Sequence, residues 1–155
     1  METHNESYSK AVSSFKMADH LFNTTFSVVE DYKIIIAVLE HLNHTLVHGM
    51  NSVLEYERLH KRIMPLTSNF ESRYDVFKKI FERYNFTQQE VDLIADLKGF
   101  LEERKEAPIE FTRPNKLIIC SDNYKMKSVS LDDVKKYLSI ADSFISKVDK
   151  GLKNA

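Results

Sequence analysis

Apolar residues recur at three- and four-residue spacing along most of the chain, the period of an amphipathic helix. Tyr8, Ala11, Phe15, Ala18, Phe22, Phe26 and Val29 fall on one face of a long first helix. Glu30 and Asp31 interrupt the pattern. Ile35, Leu39, Leu42, Leu46, Val53 and Leu54 restart it on a second helix from Tyr32 to Lys61. So short a connection predicts an antiparallel helical hairpin over residues 7–61, closed by Pro65. Ser68 with Glu71, then Thr87 with Glu90, have capping-box spacing. They open helices over 69–84, with the stripe Phe70, Tyr74, Phe77, Phe81 and Tyr84, and over 88–105, with Val91, Ile94, Leu97 and Leu101 inward.

The pattern changes after Ala107–Pro108. Leu117–Cys120 is a β-favouring apolar run, Ser121–Asp122–Asn123 is turn chemistry, and Lys125 to Val129 alternates, which predicts a β-hairpin within 109–129. Ser130 and Asp133 then cap a last helix over 131–150, with Val134, Leu138, Ala141, Ile145 and Val148 inward and the tail from Lys150 fraying. The fold class is therefore mainly α: one domain spanning 1–155, an antiparallel bundle of about five helices with one small β-hairpin between helices four and five.

Composition sharpens this picture. The 155 residues include only three Gly and three Pro, too little backbone punctuation for a sandwich or barrel. A hydrophobic fraction of 43% supports a packed core. The net charge of −1 advertises no global attraction to nucleic acid or membrane. No apolar run approaches the roughly 20 residues that span a bilayer, and Cys120 is the single cysteine. A reduced cytoplasmic setting is expected, with Cys120 as a buried, inert thiol.

Candidate chemistry is sparse. No Gly-rich phosphate loop, nucleophile elbow or His-Glu-x-x-His pattern occurs, and Gly49, Gly99 and Gly151 lie far apart. Gly49 falls mid-helix, where either close approach of another helix or a tolerated imperfection accounts for it. His41, His44 and His48 share one narrow sector of the second helix with Glu55. Imidazoles one turn apart can share a divalent metal, whereas the simpler reading is a polar stripe facing solvent or a partner. The basic cluster Arg58, Lys61 and Arg62 ends the same helix, where it complements the helix dipole and is also a candidate contact for an anion or RNA backbone. Arg113 and Lys116, in the loop Arg113–Lys116, join that candidate set, and the tip Asp122–Lys125 is a second small candidate recognition surface.

The stretches Lys16–Phe22 through Glu55–Leu59, and Glu110–Phe111 through Asn123 into the last helix, resemble small archaeal helical proteins and, through them, the HEPN superfamily of nucleotide- and RNA-associated bundles. Active ribonucleases of that superfamily carry an Arg followed a few residues later by a His. Here Arg83 has Asn85 beside it but Gln88 and Gln89 where the His belongs, and Gln cannot act as a general base. The resemblance implies the scaffold, dimerisation and nucleotide or RNA binding, without cleavage.

These residues support three functional expectations. The first is a non-enzymatic binding or scaffold protein, needing no cofactor, that self-associates as a dimer through a hairpin longer than the rest of the domain can cover. The second is a HEPN-like RNA- or nucleotide-interacting protein of the toxin–antitoxin or defence kind, with Arg58–Arg62 and the lysines of the last helix as contacts. The third is a metal-binding protein using the histidine stripe.

Overall fold

The structure, a computed structural model, describes residues 3–121, 123 and 125–153. Thr3 caps the first helix through a reciprocal box with Glu6, and α1 (His4–His20) begins there. It passes through a π-helical turn (Leu21–Thr25) into a last turn, α2 (Phe26–Val29). The π turn inserts a residue into the helical repeat and shifts the phase of the residues beyond it. Phe22 and Phe26 still reach the core, but Val29, expected inward, is 58% exposed. Glu30 then adopts a left-handed conformation that ends the rod.

Asp31 caps α3 (Tyr32–Leu59) by accepting a hydrogen bond from the Lys33 amide. α1 packs along α3, and His4 at its start meets Tyr56 near the end of α3, so the two helices are antiparallel as predicted. Elsewhere the structure departs from the expectation for this hairpin. α4 (Phe70–Ile80), α5 (Gln88–Glu106) and α6 (Leu131–Lys153) also pack against α3, and its residues from Ser52 to Glu57 are all buried. At that level α3 is enclosed on every side, while Glu40 and His44 nearer its middle stay exposed.

The caps at Thr87 and Ser130 form as read. Thr87 exchanges hydrogen bonds with Glu90, and Ser130 with Asp133. The cap at Ser68 does not form. Asn69 caps α4 instead, accepting from the Ser72 amide, while Thr67 accepts from the Asn69 amide. A single 3-10 turn, Phe81–Tyr84, follows α4 and stops at Asn85, again left-handed.

The β element has three strands where two were expected: β1 (Ile109–Arg113), β2 (Lys116–Cys120) and β3 (Met126–Ser130), antiparallel in that order. Pro114 and Asn115 make the tight turn between β1 and β2, with Asn115 at positive φ. The turn is pinned to the start of α3, because the Asn115 amide donates to the Tyr32 hydroxyl at 3.0 Å. Leu117, Ile119 and Val129 face the core. On the other face Cys120 pairs with Ile109 and Met126, and it is half-buried instead of fully buried. Asp122 and Tyr124 of the expected recognition tip lie outside the described residues.

The core centres on Phe77, Phe86 and Phe144, whose ring centroids lie 4.8–6.3 Å apart. Phe144 of α6 lies against Gly49 of α3, where a Cβ would come within 2.5 Å of its ring. Of the two readings of Gly49, close approach of a neighbouring helix is the one observed.

Candidate anion-binding site

Four cations meet at the end of the bundle where α3 and α6 finish. Arg62 follows α3, Arg83 lies in the 3-10 turn, and Lys147 and Lys150 stand one turn apart on α6. They line a cleft of about 540 Å3 together with Glu57, Tyr84, Asn85 and Gly151.

Two buried carboxylates organise these cations. Glu57 is fully buried, and its two oxygens accept separately from Arg62 Nη1 at 3.0 Å and Arg83 Nη1 at 3.1 Å. Each guanidinium carries five N–H groups and gives one of them to this carboxylate, and both side chains stay about half exposed. Lys147 Nζ lies 2.7 Å from Glu90 Oε1, which also accepts from the Thr87 amide and hydroxyl. Four cations over two carboxylates leave a local excess of two positive charges on a chain whose net charge is −1.

Tyr84 forms one wall. Its ring stacks on Phe86 at 5.9 Å and covers Gly151, where a Cβ would fall 2.3 Å from the ring. This contact explains why α6 runs on to Lys153 instead of fraying from Lys150: the last turn is packed, and its glycine is the position that admits the ring. The Tyr84 hydroxyl is buried and makes no hydrogen bond among the described residues. Burial, then the Glu57 charge, pushes the phenol well above its ordinary value, so it remains protonated and can donate. The hydrogen bond to Glu57 likewise raises Arg62.

Tyr8, Tyr74 and Tyr137 are raised in the same direction, burial being the largest cause in each. This carries a sign for stability. Near pH 10 the unfolded chain begins to lose tyrosine protons while the folded chain keeps them, so stability is full below that pH and falls as pH rises through it. Urea midpoints from pH 8 to 11 should decline above about pH 10, and Tyr84→Phe should make the decline shallower. A midpoint independent of pH over that range contradicts the burial of these phenols.

The residues expected from the sequence are dispersed. Arg62 is in the cleft. Arg58 instead pairs with Glu55 at 2.9 Å, and Arg73 joins the same carboxylate at 3.4 Å, forming a second cluster. Lys61 is exposed in a left-handed conformation after α3. Arg113 and Lys116 sit in the turn pinned to Tyr32, at the opposite end of a 28-residue helix, roughly 40 Å away at 1.5 Å per residue.

The histidine stripe has His44 exposed and His41 and His48 half-buried, with ring centroids 6.5 and 6.0 Å apart in edge-on pairs. Glu55, placed with them by helical phase, is buried and occupied by two arginines. Glu57 and His60 have Glu-x-x-His spacing, but His60 Nδ1 lies 3.0 Å from the Tyr56 carbonyl while Glu57 holds its arginines. Among the described residues, no three His, Cys, Asp or Glu side chains are gathered into a metal set.

Sequence pattern alone does not mark Glu57, Tyr84 or Gly151 as site residues. It marks Arg83 only as an incomplete ribonuclease motif, and the lysines of the last helix only as a group. Comparisons with family models, with curated proteins and with solved structures return no match to this chain.

Proposed function

We propose that the protein is a non-enzymatic binding protein for a phosphorylated ligand, a nucleotide or RNA, held in the cleft between the ends of α3 and α6. One observation carries this reading. Arg62, Arg83, Lys147 and Lys150 come from three separate elements to one concave surface, and they outnumber the carboxylates beneath them. Dipole complementarity accounts for basic residues at the last turn of a helix. It gives no reason for Arg83, in a 3-10 turn after another helix, to share the carboxylate that holds Arg62. The resemblance to HEPN bundles supports the same class of ligand.

Of the features behind the other two expectations, α3 of the hairpin assigned to self-association is packed by α4, α5 and α6, and Glu55 of the metal set is paired with arginines.

Fluorescence anisotropy with labelled nucleotide and labelled single-stranded RNA tests the reading. Binding should weaken as salt rises from 50 to 300 mM, because displaced counterions are what bound cations release. Lys150→Glu leaves Glu57 and Glu90 with their partners and should reduce affinity about tenfold, or 1.4 kcal/mol. Absence of binding to both ligands at low salt ends the proposal.

A further inference from the structure

Resting on the reading of the cleft as a phosphate site, we infer that its occupant is a compact polyphosphate group, free or carried by a nucleoside di- or triphosphate, and not a stretch of nucleic-acid backbone.

The arrangement of charge carries the argument. A single strand is held by a groove that follows its phosphates, with exposed aromatic faces on which successive bases stack. Here the cations converge on one point. Arg58 and Arg73 are directed at Glu55, and Arg113 and Lys116 lie at the far end of α3. Arg62, Arg83, Lys147 and Lys150 all line this one cleft. Tyr84 is the aromatic residue lining it, and its ring is engaged by Phe86 on one side and Gly151 on another, so it offers no open stacking platform.

The donors suit a small, highly charged group. Arg62 and Arg83 are fixed on the two oxygens of one buried carboxylate, which sets their spacing and leaves further N–H groups on each fork. Lys150, and Lys147 in its pair with Glu90, supply point charges from α6. Tyr84 lines the same cleft, and its hydroxyl is buried without a partner among the described residues. A local excess of two positive charges is better matched by several phosphates in contact than by one diester.

Isothermal titration of the full chain tests this with four probes: inorganic tripolyphosphate, ATP, inorganic phosphate and an unphosphorylated single-stranded RNA. Tripolyphosphate should bind at least about tenfold tighter than phosphate and should displace RNA if RNA binds. Equal affinity for ATP and tripolyphosphate identifies the phosphate chain as the whole determinant, while tighter ATP identifies a nucleotide as the source. Arg62→Lys with Arg83→Lys keeps both charges and the partners of Glu57 but removes the forks, and should cost about tenfold in tripolyphosphate affinity with the fold intact by circular dichroism. RNA binding that tripolyphosphate neither matches nor displaces overturns this inference and leaves the phosphate-ligand reading standing. No binding of any of the four at low salt overturns both.

Discussion

Replacing Phe144 by alanine should lower the free energy of unfolding by about 3–5 kcal/mol. Phe144 is fully buried and touches both partners of the aromatic core, Phe77 and Phe86, so the lost transfer energy is compounded by a cavity that rigid neighbours cannot fill. Gly49 makes the prediction sharper. In the native protein an added Cβ at 49 collides with the Phe144 ring at 2.5 Å, and the overpacking cost of about 1–3 kcal/mol should exceed the roughly 1 kcal/mol of helix propensity gained. Beside Phe144→Ala the obstacle is gone, and Gly49→Ala should become neutral or stabilising. Urea denaturation of the two single variants and the double variant measures the coupling. Strict additivity would mean that the two helices do not meet as described.

Removing both arginines from Glu57 should be nearly as damaging. In Arg62→Met with Arg83→Met the carboxylate remains fully buried and loses both of its partners, a situation that costs about 3–5 kcal/mol. The guanidiniums are half exposed and contribute little of that penalty themselves. It falls on the isolated charge. Adding Glu57→Leu removes the charge and should bring stability back to within about 1–2 kcal/mol of the parent, since an apolar replacement for a whole buried ion cluster is often neutral. Denaturation curves for the double and triple variants decide the matter: a triple variant no more stable than the double would show that Glu57 does not depend on these arginines.

Much of the fold was legible because its signals are local. The apolar period marked the long helices, and Thr87–Glu90 and Ser130–Asp133 marked two starts through short-range hydrogen bonds. The failures have physical causes. Ser68 and Asn69 are both good caps, and sequence spacing could not rank them. The π turn at Leu21–Thr25 leaves no periodic trace, and β1 alternates Glu110 and Thr112 with apolar residues too weakly to distinguish a hairpin turn at Pro114 from a loop.

The cleft has no local signal. Arg62, Arg83 and Lys147 meet because α3 and α6 end on the same side, which no single segment encodes. Glu55 shares a helical sector with the histidines and Glu57 belongs to no motif, and both are buried because α3 is enclosed on all sides at that level. Their arginines come partly from segments distant in sequence, Arg73 and Arg83.

The most direct test of the central claim is a titration of the isotope-labelled chain with tripolyphosphate, followed through its backbone amide resonances. The largest shifts should cluster at Tyr84, Asn85 and the turn from Lys147 to Gly151, with saturation that Lys150→Glu weakens. Shifts centred on Arg113 and Lys116, or none at any residue, would contradict it.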